Sequence, residues 1–135
     1  MKSGASKTLL LAATVVASAI AVPVPDETKP ELPVTGVNIA RPSGGWLNVA
    51  VETNRFSIQF FDENKEPMDA DADHALARYV YAAKRPERIV LYRSKDGRRL
   101  LSPPRVRPPH VFRVYLWLFD AAGGEAIESH VFQYP

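Results

Sequence analysis

The chain has 135 residues, a formal net charge of +2 and no cysteine. This length suits one domain rather than two, and 46% hydrophobic residues suit an ordinary globular core. Without cysteine the chain has no disulfide framework, no cysteine nucleophile and no lipid anchor at a cleavage-site cysteine.

The N-terminus predicts a secretory signal peptide over residues 1–21. Two lysines precede an apolar run over residues 9–22, and Ala-x-Ala exits end at Ala19 and Ala21. The apolar run has 14 residues, whereas a membrane-spanning helix needs about 20. We therefore expect cleavage, preferably after Ala21. The product is then a periplasmic or secreted protein with no transmembrane segment after the signal peptide.

Cleavage also changes the charge balance. Both lysines of the signal peptide leave with it, so the remaining chain holds 15 basic and 15 acidic residues. Nucleic-acid-binding domains typically carry a clear excess of lysine and arginine. We therefore expect no nucleic-acid partner, and the export signal favours the same conclusion.

The segment after the signal peptide predicts a proline-rich spacer over residues 22–33. It contains four prolines and four charged residues. Proline fixes φ and lacks an N–H donor, which excludes a helix or a central strand here. One folded domain is expected over residues 34–135.

The domain shows the period-two alternation of β-strands and no 3.6-residue helical period. Residues 47–51 and 56–60 flank a tight-turn length and predict a hairpin, and Asp96-Gly97 predicts a second one. Other strands are predicted over 79–81, 88–92, 99–101, 111–119 and 126–134, with an extended connection over 102–109. The pattern predicts an all-β fold, an antiparallel immunoglobulin-like β-sandwich of seven or eight strands, with a small β-barrel as the alternative.

The predicted strand 111–119 is apolar on both faces. One face alternates Phe, Val, Leu and Leu, and the other carries Tyr115, Trp117 and Phe119. The second face is either covered, by the 102–109 connection or the N-terminal segment, or exposed to a partner. Coverage is the commoner arrangement, and exposure would make Tyr115, Trp117 and Phe119 a partner-binding contact.

Charge is segregated along the chain. Residues 26–73 have 10 acidic and 4 basic residues, whereas residues 78–113 have 11 basic and 2 acidic ones. The two parts either pair across the fold as exposed ion pairs, which is the favoured interpretation, or leave a basic surface for an anionic polymer. The candidate partner-binding cations are Arg98, Arg99, Arg105 and Arg107.

A metal site is the alternative functional hypothesis. Imidazole and thioether ligands suit copper, and the chain offers four such candidates in Met68, His74, His110 and His130. None of the histidines lies at metal-ligand spacing to another, so the site requires the fold to bring them together. A surface histidine is the commoner interpretation of each, and no resident cofactor is expected.

Motifs of known enzyme classes are absent from the sequence. It contains no Gly-x-Ser-x-Gly, His-Glu-x-x-His or P-loop sequence. No pair of carboxylates is marked as a glycosidase pair. We therefore expect that the protein is not an enzyme.

Residues 56–68, which read Phe-Ser-Ile-Gln-Phe-Phe-Asp-Glu-Asn-Lys-Glu-Pro-Met, resemble a pattern of exported bacterial immunoglobulin-like modules. In that pattern an apolar strand ends in Asp, a polar turn follows, and Pro opens the next segment. The Asp-Gly hairpin and the proline-rich approach to a long strand are similar to small exported proteins with this β-sandwich, and the resemblance covers residues 46–134. It implies the fold. Some proteins of this architecture handle copper or act as adaptor modules in efflux systems.

These observations give one leading hypothesis and one alternative. The leading hypothesis is an exported, non-enzymatic protein that binds a protein or an anionic envelope polymer. The alternative is a periplasmic protein that binds or handles copper. The arrangement of the aromatic, arginine and histidine side chains in the fold decides which surface is available for either role.

Overall fold

A computed structural model describes residues 29–82 and 84–135 of the chain. This part forms nine β-strands and no helix. The strands are β1 Val37–Ala40, β2 Trp46–Glu52, β3 Arg55–Phe61, β4 Pro67–Met68, β5 His74–Val80, β6 Glu87–Arg93, β7 Arg99–Leu101, β8 Phe112–Phe119 and β9 Glu128–Tyr134. The predicted signal peptide and most of the predicted spacer lie outside the described residues.

All the strands belong to one antiparallel sheet. Eight of them follow the order β1-β2-β3-β7-β6-β5-β8-β9, and the short β4 pairs with β3 off this path. The sheet curves until it nearly closes, so the architecture is that of a small barrel. The prediction of an all-β antiparallel fold is confirmed. Of the two arrangements it allowed, the single continuous sheet corresponds to the barrel.

Local turn chemistry explains the two predicted hairpins, and both are confirmed. Glu52 pairs with Arg55, which leaves Thr53 and Asn54 as a two-residue turn with φ values of 49° and 62°. Positive φ at both central residues matches the right-handed twist of the flanking strands, and Asn tolerates it well. In the second hairpin Gly97 has φ 75° and its N–H donates to the carbonyl of Ser94.

Strand β5 begins earlier than the sequence indicates. The predicted strand started at Tyr79, whereas the observed one starts at His74. Its inward residues include Ala75 and Ala77, which are 0% and 1% exposed and lie opposite leucine or isoleucine residues of β6 and β8. Two of its three inward residues are alanines, and Leu76 and Val80 point outward. Its alternation therefore does not mark one clearly apolar face.

The core fills the barrel with the inward residues of every long strand. An aromatic cluster occupies one end, where ring centroids lie 5.2–5.7 Å apart in mainly edge-to-face contacts. Its members are Phe56, Tyr79, Tyr81, Phe112 and Tyr134. Edge-to-face pairs add stability beyond the burial of their apolar area.

The proline-rich connection between β7 and β8 closes this same end of the barrel, which we call the Val106 end. Val106 is 0% exposed, and its N–H donates to the carbonyl of Asn54 at 2.8 Å. The hydroxyl of Tyr81 donates to the carbonyl of Arg107 at 2.6 Å. The connection therefore acts as a plug of the barrel end rather than as a cover for the outer face of β8.

Within the described residues, no helix is long and apolar enough to cross a membrane.

Val106→Ala tests the role of this plug. Removing two methyl groups from a closed site should lower the free energy of unfolding by about 2 kcal/mol, because the apolar burial is lost and a cavity remains. Chemical denaturation of the purified protein measures the change. Val111→Ala removes the same atoms from a side chain that is 57% exposed, and it should change stability by less than about 0.5 kcal/mol. Equal effects of the two substitutions would contradict the plug.

Candidate functional site

The outer surface of β6, β5 and β8 carries aromatic and arginine side chains together. We call it the aromatic–arginine face and define it by six residues, Arg78, Arg88, Arg113, Tyr115, Trp117 and Phe119. All six occupy outward positions, because the residues that alternate with them are buried in the barrel. The sheet therefore places on one surface residues that are separated by up to 41 positions in the sequence.

Strand register brings the members of this face into contact. Arg78 lies opposite Arg88 on β6 and opposite Tyr115 on β8. Directly opposed side chains in antiparallel strands have Cβ atoms about 5 Å apart. The guanidinium of Arg78 lies over the Tyr115 ring, with its Cζ 5.2 Å from the centroid. This cation–π contact orients a positive charge on the outer surface.

The three aromatic residues of the face are half-buried by their neighbours. The His74 ring stacks on Phe119 with centroids 5.0 Å apart and an angle of 5° between the planes. Tyr115 is covered by Arg78. Trp117 lies opposite Leu76 across the β5–β8 pair. The sequence left open whether a loop or a partner covers this side of β8, and in the described residues side chains of β5 cover it in part.

The arginines of the face have no acidic partner within 4 Å among the described residues. The ion pairs of this part of the chain use Arg41, Arg98, Arg99, His74 and His130 as the basic members. Glu125, in the loop before β9, lies at the border of the face near Arg88 and Trp117. The face is therefore predominantly cationic, in a protein whose basic and acidic residues are nearly balanced.

Three shallow depressions run along this surface. One of about 460 Å³ is bordered by Leu76, Arg88, Trp117 and Phe119. A second, of about 260 Å³, combines Leu76 and Arg88 with Tyr92 of β6. A third, of about 510 Å³, lies toward the Val106 end and includes Arg113 and Tyr115. Each one combines an apolar or aromatic wall with at least one arginine.

The four arginines predicted from the sequence do not form one basic surface. Arg98 pairs with Asp69 at 3.5 Å, and Arg99 pairs with Glu52 at 3.4 Å. These two contacts are the exposed ion pairs between the acidic and basic parts of the chain that the sequence favoured. Arg105 and Arg107 lie in the connection at the Val106 end, where Arg105 borders one depression of the face.

Sequence reasoning found the aromatic half of the face and missed its arginines. Tyr115, Trp117 and Phe119 were visible as one side of a single strand. Arg78 and Arg88 become neighbours only through the β5–β6 register. The signal that could have indicated Arg78 is the alternation of residues 74–80, in which Ala75, Ala77 and Tyr79 are inward and Arg78 falls on the outward side.

The four candidate metal ligands have different environments. Nδ1 of His74 lies 2.9 Å from the Asp73 carboxylate on the outer surface. Nε2 of His110 contacts the Val106 carbonyl at 3.0 Å at the Val106 end. His130 points inward at the opposite end, and Met68 packs against the core. No group of three or more acidic or histidine side chains in residues 29–82 and 84–135 is arranged to hold a metal ion.

A buried charge network closes the end opposite Val106, which we call the Arg41 end. The guanidinium of Arg41, a residue that is 8% exposed, donates two hydrogen bonds of 3.0 Å to Asp71. It also donates to Glu128 at 2.8–3.2 Å. Nε2 of His130 lies 2.6 Å from the second oxygen of Glu128. The network links the β1–β2 connection to the start of β9.

The pKa values of this network follow from burial and pairing. Burial by itself would raise the pKa of Glu128, but hydrogen bonds from Arg41 and His130 outweigh it and hold that pKa below the ordinary value of 4.5. Burial would likewise lower the pKa of Arg41, but its two carboxylate partners raise it above its ordinary value. Arg41 and Glu128 are therefore both ionised in the folded protein at neutral pH.

The network contains a carboxylate–histidine pair, a combination that general acid–base catalysis also uses. The side chains of Glu128 and His130 are only 8% and 10% exposed. The cleft beside Arg41 is bordered by Asp62, Glu63 and Asp71, and neither member of the pair lines it. The pair is therefore buried in the closed end of the barrel and does not line this cleft.

Comparisons with known proteins give no information about this site. The chain matches no family model, no curated protein and no solved structure. The resemblance of residues 46–134 to exported immunoglobulin-like proteins therefore stays a prediction.

Glu128→Gln tests the buried network through its pH dependence. Removing one buried charge should cost about 3 kcal/mol of unfolding free energy at neutral pH, because Arg41 loses a partner. The pKa of Glu128 is lower in the folded protein than its ordinary value. Its contribution is therefore complete above pH 4.5 and is lost as the pH falls through the folded pKa.

Urea unfolding of both proteins over a pH series gives the measurement. The stability difference should shrink steadily below pH 4.5, the ordinary value for this group. Glu125→Gln, at an exposed position in the preceding loop, is the matched control and should leave the whole profile unchanged. If the difference in unfolding free energy between Glu128→Gln and the unmodified protein stays constant at acid pH, this interpretation is contradicted.

Proposed function

We propose that this is an exported, non-enzymatic binding protein that holds an anionic partner on its aromatic–arginine face. The observation that carries the proposal is the set of three arginines without an acidic partner in the described residues, placed on rigid strands among aromatic rings. Rigid strands hold binding groups more precisely than loops do.

The charges of the face lie at positions that lower the stability of the sheet, and this placement supports a binding role. Arg78 and Arg88 lie directly opposite each other, and like charges at opposed positions destabilise a sheet. A carboxylate at either position would relieve the repulsion. An anionic partner supplies the same relief from outside the chain.

The apolar part of the face supports binding through contact area. Tyr115, Trp117 and Phe119 are large side chains that the barrel buries only in part. Aromatic rings lose little conformational entropy on binding and contribute much of the affinity of protein interfaces. An anionic partner with apolar surface would contact both the arginines and the rings.

The predicted location of the protein narrows the partner. The signal peptide over residues 1–21 implies a periplasmic or secreted protein. Partners available there include acidic proteins and the anionic polymers of the envelope. The absence of catalytic motifs from the sequence and the burial of the Glu128–His130 pair both support a binding role rather than catalysis.

Salt-dependent retention on immobilised dextran sulfate tests the use of this face. Replacing Arg78, Arg88 and Arg113 together by Gln should weaken retention at least about tenfold, because three charge-assisted contacts are lost. A control protein carries Lys95→Gln, Arg98→Gln and Arg107→Gln, which remove the same charge from exposed positions elsewhere. It should elute close to the unmodified protein. Equal weakening of both proteins would mean that net charge alone determines retention.

Fractionation of bacterial cells that produce the full chain tests export. The protein should appear in the periplasm or the medium, with its N-terminus at Val22, or at Ile20 if the first exit is used. Intact-mass spectrometry identifies the cleavage site. Recovery of the uncleaved chain from the cytoplasm would contradict the proposed location.

A further inference from the structure

We infer that the partner on the aromatic–arginine face is an extended polysaccharide that carries carboxylate groups. This inference rests on the proposed function, since it specifies the partner of the same surface. Four observations support it: the size of the face, its completed backbone hydrogen bonding, its repeated pairing of ring and arginine, and its positive charge.

The face is a narrow strip compared with an ordinary interface between globular proteins. Its three strands, β6, β5 and β8, span about 10 Å at the usual strand spacing, and seven residues of β5 extend about 23 Å. A standard protein complex buries about 800 Å² of accessible surface on each partner, which calls for a broader patch than this strip. These dimensions suit a single extended chain.

The backbone of the face offers nothing to an extended peptide. Strand β5 is paired with β6 on one side and β8 on the other, and β8 is paired with β5 and β9. Peptides that bind to sheets usually add a strand to an unpaired edge. Binding in the middle of this sheet therefore depends on side chains alone. A polysaccharide suits this kind of binding, because it has no backbone amides that would pair with a strand.

The depressions of the face match the two surfaces of an acidic sugar. One has Trp117 and Phe119 beside Arg88, and another has Tyr115 beside Arg113. A sugar ring presents apolar C–H groups that pack against an aromatic ring. A carboxylate on the same sugar accepts paired hydrogen bonds from the fork of an arginine. Repetition of this combination suits a polymer with repeated acidic units.

Two other occupants fit the face less well. A second copy of the protein would place arginines against arginines, which is repulsive. A single nucleic-acid strand also stacks on aromatic rings in a cationic groove. The predicted export of this protein favours the polysaccharide instead. Binding of nucleic acid is therefore one alternative outcome of the test, and binding of an acidic protein is another.

Titration of the purified mature protein with oligogalacturonates of increasing length tests the inference, with tryptophan fluorescence and calorimetry as readouts. Affinity should rise with length until the face is covered, and neutral galactose oligomers of equal length should bind at least about tenfold more weakly because they lack the carboxylates. The chain has two tryptophans, so Trp46→Phe assigns the fluorescence change to Trp117.

Matched variants locate the binding. Trp117→Ala should weaken binding about tenfold or more, as loss of one stacking ring does in other polymer-binding grooves. Trp46→Ala, on β2, should leave the affinity unchanged. The double variant Arg78→Gln and Arg88→Gln alters outward residues only, so it keeps the test valid if Trp117→Ala does not fold. Unchanged affinity in that double variant would overturn the inference.

Competing probes separate this inference from the function on which it rests. Tighter binding of polyglutamate through the same residues would show an acidic protein partner, which overturns the polysaccharide and leaves the proposed function intact. Tighter binding of oligothymidylate would overturn the polysaccharide in favour of nucleic acid. Failure of all three probes to bind would overturn both the inference and the proposed function.

Discussion

Closure of the sheet is the constraint on which the rest of this structure depends. No backbone ladder joins β1 to β9 in the described part of the chain, so side chains hold the two edges together. Arg41 links the first connection to Glu128 at one end, and the Tyr134 hydroxyl accepts a hydrogen bond from the Val51 N–H at the other. A buried charge is costly unless fully paired. The bidentate contacts of Arg41 meet that condition.

Closure also determines the shape of the candidate binding surface. A curved sheet turns the inward residues of β5, β6 and β8 into a packed core and presents their outward residues on a convex surface. The small inward alanines of β5, Ala75 and Ala77, leave room for the leucine and isoleucine residues opposite them on the neighbouring strands. The packed layer beneath Arg78 and Tyr115 therefore holds them in place before any partner arrives.

The fold places acidic and basic residues on different surfaces, although their total numbers are nearly equal. Acidic residues of the first half lie in the loops near the Arg41 end, including Asp69, Asp71 and Asp73. The arginines of the second half are divided between ion pairs and the aromatic–arginine face. A protein with almost balanced charge thus has one predominantly cationic surface. Local charge distribution, rather than net charge, governs which polymers such a surface attracts.

The sequence by itself determined the all-β class, both tight hairpins and the two-faced pattern of β8, because turn chemistry at Thr53-Asn54 and Asp96-Gly97 and period-two alternation are local properties. Only the tertiary structure decided that the strands form one nearly closed sheet and that the histidines have separate environments. It also decided which arginines lie beside the aromatic residues, namely Arg78 and Arg88 rather than Arg98 and Arg107. The physical reason is that alternation specifies which way a side chain points, whereas its neighbours depend on long-range pairings such as β3 with β7 and β5 with β8, for which the chain carries no local signal.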